Sequence, residues 1–354
     1  MKILFVDGTR GFSPTRLEER PAGGIITSLT LIPRYLASKG HEVTVYSIHE
    51  KTETREGVLY TQDVIGTKPD IIVFNRNMLS VAGLEHFPEA KKVWWLHDIV
   101  DPAYLNDDAF KSMDRIVALS DYNVASFSDF YGIPNKKFDV IPNGVDRSVF
   151  RDLGLQRDRN LYVTASAPIK GGLSLLGFVY AQMKRLNPDF RLVMYCSQRL
   201  HDLENDPGIA AKLDRLKAQG VEVLDPIPQK ELAEVFNRAW GLLMPNTYPE
   251  ICSNTLLQAQ ACGLPVVASN IGSASEFIDH GFSGLLTKTY PHDIFWWWKD
   301  FAQEAARLYV DVPLHDRLSA NAGREVKGWQ DIGAEWNALL ESVHGNAGVF
   351  QVRA

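Results

Sequence analysis

The sequence has no long apolar run: no stretch of about 18 apolar residues occurs in it, so no membrane-spanning helix is predicted. Its three cysteines, Cys196, Cys252 and Cys262, are too few and too scattered for a disulfide framework and include no C-x-x-C pair. We expect three buried thiols in a reducing compartment. The net charge of −6 argues against bulk electrostatic binding of nucleic acid. These features predict a cytoplasmic protein, with peripheral contact with the inner membrane left open.

Several catalytic signatures are also missing. The chain contains no H-E-x-x-H and no His/Cys cluster with zinc spacing, which argues against a metal site. It contains no G-x-S-x-G elbow and no G-x-x-x-x-G-K-[ST] loop, and no G-x-G-x-x-G follows the first apolar run. A hydrolase of the elbow type, a P-loop ATPase and a nicotinamide dehydrogenase are therefore disfavoured.

Two series of short apolar runs alternate with helical stretches, and 354 residues suffice for two domains. Continuous apolar runs of this length are typical of strands buried on both faces of a parallel sheet. The pattern predicts an α/β protein with two Rossmann-like, doubly wound domains, 1–150 and 151–328, joined by a polar linker near 143–160. The predicted strands are, in order, 2–7, 42–48, 70–74, 93–96, 115–119, 138–142, 161–165, 191–196, 221–224, 241–244, 265–268 and 284–286.

Helices are predicted between these strands. A clear one begins at Gly23-Gly24 and ends at Gly40, and Pro33 inside it should kink it or limit its length. The remainder from Pro291 onward is predicted to be helical, and it carries the run 296–298 of three tryptophans, then Trp329 and Trp336 seven residues apart. We expect these tryptophans to pack between helices, while a membrane-interface belt remains the alternative.

The stretch 248–263 organises the second half, because it lies between two apolar strands and contains a loop and then a helix. Ser253, Asn254 and Thr255 lie where that helix should begin and suit capping of its backbone N–H groups. Those N–H groups and the helix dipole also suit a phosphate. Glu250 just before the helix and Gln258 one turn inside it could bind sugar or ribose hydroxyls. The alternative is an ordinary strand–helix–strand unit with a polar cap.

Other polar residues follow predicted strands, at the sheet edge where doubly wound folds bind ligands. His97 follows one strand, and Lys170 stands beside two glycines after the first strand of the second half, where a lysine can neutralise a pyrophosphate. Gly23 and Gly24 allow close approach of a ligand at a helix start. Each residue also has a purely structural explanation, and the arginine-bearing loop 8–22 could be solvated surface.

Taken together, these residues resemble the retaining GT-B glycosyltransferases of family 4. The resemblance rests on Gly23-Gly24 before the helix ending at Gly40, on Ile141–Asp146 at the domain joint, and on the region from Pro249-Glu250 to Ser269, which is similar to the family's E-x7-E motif. Gly272 and Glu276 and the stretch 280–286 extend it. The resemblance implies two domains facing a central cleft, with a C-terminal helix at about 329–345 crossing back to the first domain.

For the donor's phosphates, the resemblance implies three contacts. Lys170 would bind the pyrophosphate, the backbone N–H groups of Asn254 and Thr255 would hold the distal phosphate, and Gly24 would lie against the phosphates. The family needs no metal, no D-x-D triplet is present, and no cofactor besides the nucleotide-diphosphate sugar is implied.

For the sugar and ribose, the resemblance assigns Glu250 and His97 to the transferred sugar and position 258 to the ribose hydroxyls. The implied enzyme moves a sugar to a glycan or lipid-linked acceptor with retention of configuration, in polysaccharide or lipopolysaccharide biosynthesis. The acceptor would bind the first domain, with the loop 8–22 a candidate for contacting it.

Two departures from the family pattern leave alternatives open. The second glutamate of the motif is Gln258, and the family's arginine before the lysine is replaced, since its positions hold Thr164 and Ala165. Arg199 is a candidate substitute for that arginine. The alternatives are a non-catalytic sugar-nucleotide-binding subunit and a GT-B epimerase or phosphorylase.

Overall fold

The computed structural model describes residues 1–7, 23–46, 52–76, 87–100, 107–196 and 206–345. Internal contacts group the chain into two compact units, each built around its own sheet. The first contains the initial strand, Gly24–Gly144 and the segment from Lys327 onward, and the second contains Val145–Val326. The predicted domain boundaries, 1–150 with the final helix and 151–328, stay a prediction.

The first unit is built on a mostly parallel sheet. Its strands are β1 (Lys2–Val6), β2 (Glu42–Tyr46), β3 (Glu53–Arg55), β4 (Val58–Thr61), β5 (Ile71–Asn75), β6 (Lys91–Trp95), β7 (Arg115–Ala118) and β8 (Phe138–Val140). Within the described residues these eight strands follow the order β3-β4-β2-β1-β5-β6-β7-β8, and only β3 and β4 pair antiparallel. All five residues of β5 are buried, as expected for a central strand covered on both faces.

The second unit is built on a parallel sheet. Its strands are β9 (Asp158–Thr164), β10 (Arg191–Tyr195), β11 (Glu222–Leu224), β12 (Ala239–Met244), β13 (Val266–Ala268) and β14 (Leu285–Leu286). Over the described part of this unit, the six strands follow the order β11-β10-β9-β12-β13-β14. Because β9 and β12 are parallel neighbours, the loops that follow them emerge side by side at one edge.

Helices connect the strands of both units. In chain order they are α1 (Gly24–Ser38), α2 (Asp107–Ser112), α3 (Asp121–Tyr131), α4 (Leu173–Leu186), α5 (Pro207–Gln219), α6 (Gln229–Arg238), α7 (Asn254–Ala261), α8 (Ala274–Phe277), α9 (Ile294–Val310), α10 (Val312–Ala322) and α11 (Trp329–His344). None of the helices in the described ranges is both long enough and apolar enough to cross a membrane. The predicted fold class of two doubly wound α/β domains is confirmed.

The C-terminal helix α11 belongs to the first unit, where it packs on α1. Gly333 makes this approach close, because a Cβ atom there would lie 2.3 Å from Cγ of Tyr35. Trp336 is fully buried, with its ring centre 6.4 Å from that of Phe5 and 4.7 Å from that of Trp95. The predicted return of the final helix to the first domain is therefore confirmed.

Three details differ from the sequence-based expectations. Pro33 does not limit α1, which continues to Ser38 with Leu29, Ile32 and Leu36 fully buried, while a kink at Pro33 stays a prediction. Packing of this apolar face offsets the missing backbone hydrogen bond. The β3–β4 hairpin was not predicted. Helix packing accounts for the tryptophans at 297, 329 and 336, which are buried, but the expectation is wrong for Trp296, which is 51% exposed.

Candidate functional site

The centre of the candidate site is an ion pair between Lys170 and Glu250 in the second unit. Lys170 ends a short 3-10 turn, Pro168–Lys170, after β9, and Glu250 lies in the loop after β12. Their Nζ and Oε2 atoms are 2.7 Å apart, and the side chains retain 29% and 14% exposure. The side-by-side exit of the two loops brings together two residues that are 80 positions apart in sequence.

The loops that carry this pair are joined by backbone contacts. The N–H groups of Thr247 and Tyr248 donate to the carbonyl oxygen of Lys170, at 2.8 and 3.1 Å. Gly172 has φ +75°, and a Cβ atom on it would lie 1.9 Å from the carbonyl oxygen of Pro245. Only glycine permits both this conformation and this approach. The backbone at Lys170 is therefore held firmly by the loop after β12.

Asn246 is a polar residue of the site that sequence reasoning missed. Its Nδ2 donates to Oε1 of Glu250, so that both carboxylate oxygens have a donor. Asn246 is 5% exposed, and its Oδ1 is buried with no hydrogen-bond partner among the described residues. The residue follows β12 directly after Pro245, so a search of every polar residue at the carboxyl ends of the strands could have found it.

The main chain of Glu250 is also held in place. Its carbonyl oxygen accepts hydrogen bonds from the N–H and the Oγ of Ser273, at 2.9 and 3.0 Å. Beside Glu250 lies a cavity of about 30 Å³, lined in part by Asn246, Tyr248, Ser253 and Ser273. This volume accommodates one or two water molecules or a small polar substituent of a ligand.

The helix α7 begins at the same sheet edge. Ser253 occupies its N-cap position, but its side chain makes no capping hydrogen bond, so the expectation of side-chain capping is wrong for Ser253. Thr255 Oγ1 instead lies 3.4 Å from the carbonyl oxygen of Ala165, and Oδ1 of Asn254 is buried with no partner in the described part of the chain. With no side-chain cap, the first turn of α7 is suited to an anion. Gln258 lies one turn further along and is partly exposed.

His97 lies in the first unit, two residues after β6. The side chain as a whole is partly exposed, but its Nε2 is buried and has no partner among the described residues. Its ring centre is 4.4 Å from that of Trp95. Burial, helped by the positive charge of Arg76, lowers the pKa of His97 to about 3, so the imidazole is neutral at physiological pH. A neutral ring can accept a hydrogen bond from a hydroxyl group.

The positive charge beside His97 has a fixed position. Arg76 has a left-handed backbone with φ +61°, and its guanidinium donates to both carboxylate oxygens of Asp98, at 2.7 and 3.0 Å. Gly24 opens α1 in the same unit. The preceding Gly23 is exposed, and a Cβ atom added to it would meet no described atom within 4 Å. Packing against the described residues therefore does not explain the glycine at position 23, and its predicted place beside a ligand stays a prediction.

Some predicted features lie outside the described residues, namely the loop 8–22 and Arg199. At the positions where the family has an arginine, Thr164 is buried and Ala165 is partly exposed. In the described ranges, no group of three or more His, Cys, Asp or Glu side chains is arranged to hold a metal ion.

Two family models match this chain. The model described as Glycosyl transferases group 1 matches residues 159–311, and the model described as Glycosyltransferase Family 4 matches residues 60–149. Together they account for more than half of the chain. The chain belongs to the family 4 glycosyltransferases.

Relatives of this chain include proteins named D-inositol 3-phosphate glycosyltransferase. The protein of that name from Stackebrandtia nassauensis is 32% identical over 240 residues, which cover 59% of this chain and 51% of the relative. The one from Segniliparus rotundus is 30% identical over 189 residues, which cover 50% and 41%. The chain thus spans about half the length of the curated relatives it matches.

Solved structures share its fold at low sequence identity. Sucrose-phosphate synthase from Thermosynechococcus elongatus has a TM-score of 0.77 at 16% identity, covering 98% of this chain and 100% of that one. Anabaena HepE in complex with UDP and glucose has a TM-score of 0.71 at 18% identity, covering 97% and 100%. For WaaG, a glycosyltransferase involved in lipopolysaccharide biosynthesis, the TM-score is 0.68 at 15% identity, covering 95% and 99%. These likenesses confirm the predicted GT-B fold.

Proposed function

We propose that this protein transfers a sugar from a nucleotide-diphosphate sugar to a glycan or lipid-linked acceptor, with retention of anomeric configuration. The observation that carries the proposal is the placement of Lys170 and Glu250 beside the uncapped start of α7, at one edge of the second sheet. The relatives named D-inositol 3-phosphate glycosyltransferases and the HepE structures with UDP and UDP-glucose support this class of donor.

In this proposal, the second unit binds the donor. The ammonium group of Lys170 and the N–H groups at Asn254 and Thr255 bind the two phosphates, and Gln258 binds the ribose. A cation and a helix N-terminus stabilise the negative charge that develops on the diphosphate as it leaves. Glu250 accepts hydrogen bonds from the hydroxyl groups of the sugar, and the diphosphate binds through these protein groups without a metal ion.

The first unit binds the acceptor and contributes to the sugar site. Gly24 allows the phosphates to approach α1, and His97 accepts a hydrogen bond from a sugar hydroxyl because its ring is neutral. The bond between the anomeric carbon and the phosphate oxygen breaks, the acceptor oxygen bonds to the same face of that carbon, and the acceptor proton passes to the leaving phosphate. The reaction then depends mainly on positioning and electrostatic stabilisation.

The donor and the roles of the residues can be tested in one assay. Release of nucleoside diphosphate is measured with UDP-, GDP- and ADP-sugars and a panel of glycan and lipid-linked acceptors, without added metal. We expect turnover with one donor class, and a loss of about 10²-fold in Lys170→Ala. Lys91→Ala removes a lysine from an exposed ion pair in the first unit and should leave turnover unchanged. Full activity of Lys170→Ala would refute the proposed site, and the anomeric configuration of the product tests retention.

A non-catalytic sugar-nucleotide-binding subunit is the second candidate. Gln258 and the absence of an arginine at 164–165 leave the donor with fewer charged hydrogen-bond partners than the family pattern provides. Binding of a nucleotide-sugar without turnover on any acceptor would favour it. An epimerase would need no acceptor and a phosphorylase would need inorganic phosphate, so one assay without acceptor and one with added inorganic phosphate separate them. The setting we propose is polysaccharide or lipopolysaccharide assembly at the cytoplasmic face of the inner membrane, with no nucleic-acid partner.

A further inference from the structure

The two charged groups of the candidate site are bound to each other. Nζ of Lys170 lies 2.7 Å from Oε2 of Glu250, and Nδ2 of Asn246 donates a hydrogen bond to the other carboxylate oxygen. A diphosphate that draws the ammonium group of Lys170 towards itself competes with this carboxylate for the same charge. The Lys170 main chain is held by Thr247 and Tyr248, so the exchange requires only that the lysine side chain turn away from Glu250.

The exchange has a consequence for Glu250. Both side chains of the pair are partly buried, and a shielded carboxylate that loses its cation is destabilised unless another donor replaces that cation. We expect Asn246 to remain on Oε1, because it is buried and its Nδ2 donates to Glu250. Oε2 then needs a new hydrogen-bond donor, and the hydroxyl groups of a bound sugar supply one.

Resting on the proposed function, we propose that the Lys170–Glu250 ion pair discriminates between the intact nucleotide-sugar and the free nucleoside diphosphate. The phosphates of the intact donor bind Lys170, and its sugar hydroxyls donate hydrogen bonds to Glu250. The phosphates of the product also bind Lys170, but the product has no sugar to donate hydrogen bonds to Glu250. The ion pair therefore weakens product binding relative to substrate binding and favours product release. Asn246 is the positioning residue that keeps Glu250 in place during the exchange.

Inorganic pyrophosphate tests this competition, since it contains the two phosphates and no sugar or base. Its affinity is measured by isothermal titration on the wild type, Glu250→Gln, Lys170→Ala and the double variant. Glu250→Gln removes the competing charge with little change in shape, and we expect pyrophosphate to bind about three- to tenfold more tightly. Lys170→Ala should bind it more weakly. Glu222→Gln removes the same charge from a separate ion pair in the same unit and should match the wild type.

The double variant separates competition from simple repulsion between Glu250 and the anion. If Glu250 acts through Lys170, adding Glu250→Gln to Lys170→Ala should change affinity little, and the cycle should show strong coupling. An equal gain in both backgrounds overturns the inference. The inference is also overturned if Glu250→Gln binds pyrophosphate no more tightly than the wild type. If Lys170→Ala has lost affinity in the same experiment, the proposed donor site still stands.

Failure of the proposed function gives a different result, namely that Lys170→Ala binds pyrophosphate as well as the wild type. If neither the wild type nor Glu250→Gln binds pyrophosphate detectably, both the inference and the proposed donor site are overturned. Glu250→Ala provides a second neutral variant whose side chain cannot bind Lys170, and melting temperatures confirm that each variant is folded. A tighter-binding Glu250→Ala supports the competition in the same way.

Discussion

Replacing His97 with glutamine should make the first unit more resistant to acid. In the native state, burial lowers the pKa of His97 to about 3, whereas a histidine in an unfolded chain titrates near 6.5. Between these values the unfolded state binds the extra proton and the native state does not. Stability therefore falls as the pH is lowered through this window, and glutamine removes the contribution of His97.

The size of the effect follows from the two pKa values. On lowering the pH from about 8 to about 5, uptake of a proton by the unfolded chain costs the native state about 2 kcal/mol relative to a residue that does not titrate. Because the His97 side chain keeps some exposure, this figure is an upper bound. His315 is also buried with a lowered pKa, but it is present in both proteins and cancels in the comparison.

Urea unfolding at a series of pH values, followed by tryptophan fluorescence, measures this difference. Trp95 lies against His97 and reports on the same region. The free energy of unfolding of His97→Gln, relative to wild type, should rise as the pH falls from about 8 to about 5. His344→Gln removes an exposed histidine and should follow the wild-type curve. A constant difference between wild type and His97→Gln at all pH values would refute the reasoning.

Three further predictions concern packing and reactivity. Gly333→Ala should destabilise the protein by about 1–3 kcal/mol in urea unfolding, because its Cβ atom would lie 2.3 Å from the ring of Tyr35. Gly172→Ala should abolish pyrophosphate binding in calorimetry, since the added methyl group would push apart the loops that position the ion pair. Cys196 and Cys262 should react with a thiol reagent at pH 8 only after unfolding, because burial raises their pKa values to about 11 and about 12.

A matched control accompanies the two glycine variants. Gly208→Ala lies in the first turn of α5, where a carboxylate oxygen of Asp206 approaches the added methyl group at 3.2 Å, and it should be close to neutral. Wild-type stability of Gly333→Ala would show that α11 does not need close contact with α1. Rapid thiol labelling of the folded protein would contradict the burial of the cysteines.

The sheets were predictable because their central strands are continuous apolar runs, as in β5 and β12, and such runs are typical of strands buried on both faces. The β3–β4 hairpin was not predictable in this way, because the Glu53–Arg55 strand has no buried side chain and therefore no apolar period. Its sequence signal was the turn Glu56-Gly57, with φ values of +47° and +80°.

The tryptophans show how a helical period could have improved the prediction. In α9 the buried side chains include Trp297, Phe301, Ala305 and Leu308, which repeat at intervals of three or four residues. Trp296 falls outside this set and is exposed. Counting the apolar period along the whole helix, rather than treating the three tryptophans as one group, would have separated them.

At the candidate site, the sequence placed Lys170 and Glu250 after separate strands but could not show that they meet. Their contact depends on β9 and β12 being neighbours, and strand order is a tertiary property that no local pattern contains. The same holds for Asn246, whose hydrogen bond to Glu250 is set by an irregular loop. The roles of Lys170 and Glu250 in the reaction stay predictions.

Nucleotide binding to Lys170 is the most direct test of the account. Thermal unfolding is measured with UDP, GDP and ADP, without metal, on the wild type, Lys170→Ala and Lys91→Ala. A ligand at a hundred times its dissociation constant stabilises its domain by about 2.7 kcal/mol, which raises the melting temperature by about 5–10 °C. We predict such a rise with one of the three nucleotides for the wild type and Lys91→Ala, and its loss in Lys170→Ala. An equal rise in Lys170→Ala would contradict the central claim that Lys170 binds the donor's diphosphate.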